Sequence, residues 1–224
     1  MVLHEDNKPD IGNKIIFLEE TIPLDNKEVM IMNHLIVFAH PNPKSFGKAI
    51  VDTVVKASEE KGAKVEVRDL YAMGFDPILK PSDFQAFQSG KVPEDIEKEH
   101  QCIQWADVIT FIHPVWWASQ PGMLRGYMDR VFSYGFAYEY VDGKAHGLLT
   151  GKKAMVFATT GTASEVYEAN GMHEAMKQSL DQGVFNFCGI QEVKHTFYGA
   201  VPHVSEETRK GYLKEIEEII KENL

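Results

Sequence analysis

The sequence predicts a doubly wound α/β sheet of five parallel strands in the order 2-1-3-4-5. Two observations lead there: continuous apolar runs, LIVFA first among them, of the kind found in strands buried on both faces, and a regular alternation of five strand-like with five helical segments. Residues 1–32 stand apart, with scattered charges, no sustained period and Pro9, Gly12 and Pro23 as breakers. They read as an N-terminal extension to a single domain over 33–224.

The first strand is LIVFA (35–39). A helix follows whose inward face carries Ile50, Val51, Val54, Val55 and Ser58, and Lys61-Gly62 closes it with a cation and a C-terminal glycine. AKVEVRDL (63–70) is the second strand. Residues 71–93 read as loop-rich, and a helix ending near Ala106 leads to the third strand, VITFI (108–112). Residues 124–134 form a helix, a Gly-rich excursion follows, and KAMVFATT (153–160) is the fourth strand. A single helix over 172–187 stops at Gly189 before the fifth strand, EVKHTFYGAV (192–201). Ser205 caps the last helix, with Glu206 and Glu207 at the positive end of its dipole and Tyr212, Leu213, Ile216, Ile219 and Ile220 facing inward. Five helices thus alternate with five strands, without an internal repeat or a low-complexity tract.

Composition excludes several functions. A chain of 224 residues with 44% hydrophobic and 25% charged residues is an ordinary globular protein, and a net charge of −10 without a Lys/Arg block opposes nucleic acid and anionic membranes. No run approaches the roughly 20 apolar residues of a membrane span, and the N-terminus lacks the basic and apolar regions of a signal peptide, so a cytoplasmic protein is expected. Cys102 and Cys188 form neither a C-x-x-C pair nor a disulfide framework and read as buried thiols. There is no G-x-S-x-G elbow, no phosphate loop of the G-x-x-x-x-G-K-[ST] type and no G-x-G-x-x-G fingerprint. His173-Glu174 begins like H-E-x-x-H, but Lys177 stands where the second His belongs, so no metal site is expected. The nine histidines read mostly as surface residues or satisfied polar groups.

In the predicted strand order, ligands bind beyond the strand C-terminal ends, at the switch point between strands one and three. Three loops meet there. HPNPKSFG (40–47) enters the first helix with Ser45 near its start, so free N–H groups, the helix dipole and Lys44 could hold a phosphate; an ordinary Ser-capped turn stiffened by two prolines fits the same residues. HPVWWASQPG (113–122) places Trp116 and Trp117 at the crevice rim, where flat aromatic surface can meet a flat ligand. The alternative is two indoles packed under a helix or across a dimer contact. TTGTASEVY (159–167) offers hydroxyls and backbone donors suited to a polar heterocycle edge, although many such loops share this composition.

Together, HPNPKSF, HPVWWASQPGMLRGYMDRVFSYGFAY and TTGTASEVYEANGMH resemble the flavodoxin-like NAD(P)H:quinone oxidoreductases. The specific element is P-x-W-W-x-x-x-P-G-x-L-R-G followed by D-R-V-F and G-F-A-Y, and the resemblance runs over about residues 34–224. It implies a flavin, FAD or alternatively FMN, whose ring lies against Pro114, Val115, Trp116 and Trp117 and whose phosphates lie at His40, Ser45, Phe46 and Gly47. Gly47 stands where relatives often have Asn. Thr159, Thr160, Gly161 and Thr162 would address the pyrimidine edge, while Tyr167 and His173 match the positions that steady charge on the reduced ring. Hydride transfer leaves negative charge on the ring, and oriented donors stabilise it as an oxyanion hole does.

The expected activity is transfer of two electrons from NAD(P)H to a quinone or similar planar acceptor by ping-pong turnover. A single-electron carrier and a regulatory subunit of a potassium-efflux transporter are the alternatives. Tyr127, Phe132, Tyr134, Phe136, Tyr138 and Tyr140 crowd one segment, more aromatic surface than one sheet edge is expected to bury. A homodimer is therefore expected, and the resemblance places Tyr138 and Tyr140 over the substrate pocket, beside Trp117 and His173.

Overall fold

The computed structural model describes residues 31–224. The reading of residues 1–32 as an extension falls, apart from Ile31 and Met32, outside the described residues. The five-stranded parallel sheet is built from β1 (Asn33–Phe38), β2 (Lys64–Asp69), β3 (Val108–Pro114), β6 (Lys153–Thr159) and β7 (Glu192–Tyr198), in the order β2-β1-β3-β6-β7. This is the expected order, with two small strands inserted between the third and fourth.

Those two, β4 (Tyr138–Val141) and β5 (Lys144–Gly147), pair antiparallel and replace the expected irregular excursion with a hairpin. Asp142 and Gly143 at its tip both have positive φ, 52° and 75°, the conformation a two-residue hairpin turn requires.

The sheet is covered on both faces. On one side α1 (Phe46–Glu60) and α7 (Glu206–Asn223) bury Ile50, Val51, Val54, Ile216, Ile219 and Ile220 with Ile36, Phe38, Ile112 and Phe157. Ser58 on α1 joins a buried network: His34 Nδ1 lies 2.8 Å from Ser58 Oγ and its Nε2 lies 2.7 Å from Thr110 Oγ1. Since Ser58 donates its proton to the Val54 carbonyl, His34 must donate from Nδ1 and accept at Nε2. Burial lowers its pKa to about 4, so it stays neutral.

On the other side lie α3 (Glu94–Trp105), α4 (Gly122–Val131), α5 (Ser164–Ala169) and α6 (Met172–Lys177). The stretch read as loop contains α2 (Pro81–Gln88), which starts with proline at its first turn, the position where a missing N–H costs nothing. The single helix expected over 172–187 is instead α6 followed by a π-helical segment, Gln178–Asn186. Its buried residues Leu180 and Phe185 are five apart, the spacing of the wider helix. Cys188 is buried as expected, but Cys102 is only half-buried, at the edge of the core cluster against which α3 packs it. Among the described residues, no helix is long and apolar enough to cross a membrane.

Candidate active site

The strand register sets the floor of the site. Pro114, Thr159 and Tyr198 sit at one level at the ends of β3, β6 and β7, and β1 stops at Phe38 opposite Ile112. The loops that leave these ends enclose a cleft of about 540 Å³. Ten of the expected residues line it: His40, Ser45, Phe46, Gly47, Pro114, Val115, Trp116, Thr159, Thr160 and Gly161.

The first loop is held by its own polar groups. The Asn42 amide donates to His40 Nδ1 at 2.9 Å, and Asn42 Oδ1 accepts from the Lys44 amide at 2.9 Å. Partial burial keeps His40 below its ordinary pKa, and a neutral ring that accepts at Nδ1 carries its proton on Nε2. His40 is therefore a fixed donor beside the cleft. Ser45 caps α1, its Oγ accepting from the Lys48 amide at 3.3 Å and its carbonyl from the same amide at 3.0 Å, while the Phe46 and Gly47 amides have no intrahelical acceptor. A Cβ on Gly47 would lie 3.1 Å from the Phe38 ring, so glycine here reflects close packing of helix on strand.

The second loop turns back sharply. Trp116 and Ser119 exchange two backbone hydrogen bonds of 3.0 Å, with Trp117 and Ala118 between them at φ 52° and 53°. Two consecutive left-handed L-residues, one of them Trp, cost about 1–2 kcal/mol each, and such strain clusters at ligand clamps. The Val115 amide anchors the turn on the Thr159 carbonyl at 2.8 Å. Trp116 is 42% exposed and lies 6.2 Å from the His40 ring, whereas Trp117 is fully exposed at 100% and stands off the cleft lining.

The third loop is stitched to the end of β7. Thr160 donates through Oγ1 to the Thr162 carbonyl at 2.5 Å, the Ala200 amide donates to the same carbonyl, and the Val201 amide donates to the Thr160 carbonyl. Gly199 permits this approach, since a Cβ there would lie 2.6 Å from the Ser164 amide nitrogen. Thr162 thus shapes the loop without lining the cleft.

Tyr167 on α5 and His173 on α6 meet edge to face at 5.7 Å, apart from the lining residues. The buried His173 ring lies parallel to Phe197 at 4.2 Å, and its Nδ1 is 4.0 Å from Glu168 Oε1. Burial lowers its pKa, outweighing the Glu168 carboxylate.

Tyr138 and Tyr140 stand edge to face on the hairpin, 6.1 Å apart. Tyr138 lines a different cleft of about 430 Å³, with Leu79, Phe84, Phe87, Phe132 and Tyr134. The aromatic segment is divided: Tyr127 and Phe132 are buried within the chain, Phe136 stacks on His100 at 3.6 Å, and Tyr134 and Tyr140 remain 52% and 55% exposed.

Asn42, Val201 and Pro202 also line the site cleft. The last two follow β7, and the rule that placed the other loops at strand C-terminal ends reaches them too. Among the described residues His146 and His203 are exposed and the buried His34 and His100 are hydrogen-bonded, as read from the sequence, whereas His113, His173 and His195 each carry a buried Nε2 without a partner. Among the described residues no cluster of His, Cys, Asp or Glu has the arrangement of a metal site.

A family model described as a flavodoxin-like fold matches residues 32–220. An uncharacterized NAD(P)H oxidoreductase of Haemophilus influenzae is 42% identical over 184 residues, 82% of this chain and 91% of that protein. NAD(P)H dehydrogenase [quinone] 1 of Cavia porcellus is 34% identical, over 83% of this chain and 76% of its own. The solved structure of an NAD(P)H:quinone oxidoreductase from Methanothermobacter marburgensis superposes with a TM-score of 0.76 at 30% identity, covering 85% of this chain and 96% of that one. With the sheet order, the switch-point cleft and these matches together, the chain belongs to the flavodoxin-like NAD(P)H:quinone oxidoreductase family.

Proposed function

We propose that the protein is a flavin-dependent enzyme that takes hydride from NAD(P)H and delivers two electrons to a quinone or similar planar acceptor. The observation that carries this reading is the single cleft in which the open first turn of α1, the aromatic turn and the hydroxyl-rich loop face one another. Its residues fit a flavin, FAD or FMN. The His40 Nε2–H and the amides of Phe46 and Gly47 would hold phosphate, helped by the helix dipole. Pro114, Val115 and Trp116 would bear on the ring and Thr159, Thr160 and Gly161 would meet its pyrimidine edge, while Trp117 and Thr162, which do not line the cleft, would shape the turns that carry them. When bound, the flavin supplies the hydride-accepting and hydride-donating chemistry.

The chain's own residues orient and stabilise. Tyr167 would offer a phenolic O–H and His173 a neutral imidazole to the charge that hydride transfer creates, and the stack on Phe197 holds His173 in place before reaction. Donor and acceptor would then use one pocket in turn. Initial rates over a grid of NAD(P)H and quinone concentrations test this: parallel double-reciprocal lines are expected, and intersecting lines contradict it.

We also propose a homodimer whose pockets both chains complete. The exposed Tyr134 and Tyr140 and the apolar cleft beside them support it, with Tyr138 and Tyr140 covering the partner's substrate pocket. Light scattering should give twice the chain mass. A monomer with full quinone reductase activity at nanomolar concentration would contradict it.

A further inference from the structure

Eight of the described residues with positive φ are glycines, and the other four are Trp117, Ala118, Asp142 and Ala200, at φ 52°, 53°, 52° and 51°. Aspartate enters this region with local help from its short polar side chain; tryptophan and alanine have no such help. Among the described residues, those three sit only in loops that enclose the site cleft. Trp117 and Ala118 form the turn that follows Trp116, and Ala200 directly precedes Val201; Trp116 and Val201 both line the cleft.

The chain builds this kind of turn twice. Val141 pairs with Lys144 across Asp142-Gly143 at the tip of the hairpin, and Trp116 bridges to Ser119 across Trp117-Ala118 on the cleft rim. At the hairpin tip, which does not line the cleft, the turn has residues that suit it; on the rim it does not. Trp117 is fully exposed, so burial of its indole does not offset the strain. The surroundings enforce both rim conformations instead. The turn after β3 is closed by the two Trp116–Ser119 bonds, while the Ala200 amide donates to the Thr162 carbonyl at 2.9 Å and the Ala200 carbonyl accepts from the His203 and Val204 amides at 2.7 and 3.0 Å.

We propose that Ala118 and Ala200 are positioning residues, whose methyl groups confine two strained stretches of the rim to one shape and so hold Val115, Trp116 and Val201 ready for a planar ligand. The proposal rests on the flavin reading of the cleft. At positive φ an alanine has one small allowed well, whereas a glycine has most of that half of the conformational map. Glycine at either position therefore relieves the strain and lets the rim take several shapes, which a ligand must then order on binding. Stability is exchanged for a rim that is set before the ligand arrives.

Thermal melts of the flavin-free protein and titration with FAD and FMN test this on Ala118→Gly and Ala200→Gly, with Asp142→Gly as the control outside the cleft. Each alanine variant is expected to raise the flavin-free Tm by about 2 °C and to weaken flavin binding about 5-fold. Asp142→Gly is expected to keep flavin affinity within about 2-fold of wild type. A flavin-free Tm that does not rise, or wild-type flavin affinity, in either alanine variant overturns the proposal, and so does an equal loss of affinity in Asp142→Gly. Whether the wild type binds flavin decides the flavin reading, and the differences between variants decide this one, so the two failures are distinguishable.

Discussion

Replacing His173 by alanine should slow reduction of bound flavin by NAD(P)H about 100-fold while changing flavin affinity less than about 5-fold. The imidazole is buried, parallel to Phe197 and edge-on to Tyr167, so it is oriented before charge develops. A preorganised donor is typically worth about 2.7–4 kcal/mol, and the lower end is expected here because Tyr167 would share the load. Tyr167→Phe should act in the same direction. Stopped-flow bleaching of the flavin measures the hydride step and equilibrium titration measures affinity. Unchanged hydride-transfer rates in both variants would reduce the pair to a packing role.

The second large effect is on stability. Arg130→Met should lower the unfolding free energy by about 3–5 kcal/mol, read as a fall in the urea midpoint. Arg130 is almost fully buried on α4 and meets three segments: Nε donates to Asp83 Oδ2 at 2.9 Å, Nη1 to Asp95 Oδ2 at 2.6 Å, and Nη1 again to the Asp76 carbonyl at 2.9 Å. Burial alone would raise the Asp83 carboxyl, but hydrogen bonds from Arg130 and the Lys80 amide hold it below its ordinary pKa. Without the guanidinium, Asp83 is left buried and unpaired. Adding Asp83→Leu should therefore recover much of the loss, because the stranded charge goes with it. A single-variant loss below about 1 kcal/mol would refute this account of the pair.

These two residues also mark how far the sequence could be read. The strands were legible because LIVFA, VITFI and AMVFA are continuous apolar runs and the two outer strands still read as β-branched segments between helical ones, and the order followed from handedness rules, which in turn brought the three loops together. Ser45 and Ser205 were legible as caps by residue type and position, and each accepts a backbone N–H in the structure. Helix α2 was not legible. Its single buried residue is Asp83, a carboxylate whose reason for burial is Arg130, 47 residues away. The hairpin did carry a local signal, Asp142-Gly143, which the aromatic density around it obscured.

The π-helical segment was hidden because an apolar spacing of four followed by five looks like an irregular α-helix when read in one dimension. The backbone of Trp117 and Ala118 was hidden for a different reason: nothing in the side chains of WWAS announces two left-handed residues, and such turns normally use Asn or Gly. Likewise, the pairing of His195 with Asp181 depends on a helix and a strand meeting, which no local pattern encodes.

The central claim is that the switch-point cleft holds a flavin. The most direct measurement is the visible spectrum of the purified protein, followed by heat release and weighing of any chromophore, with parallel titration by FAD and by FMN. The account predicts a flavin absorbance band, a released mass equal to one of these two cofactors, and saturation at one flavin per chain. A colourless protein that takes up neither flavin on reconstitution would contradict it.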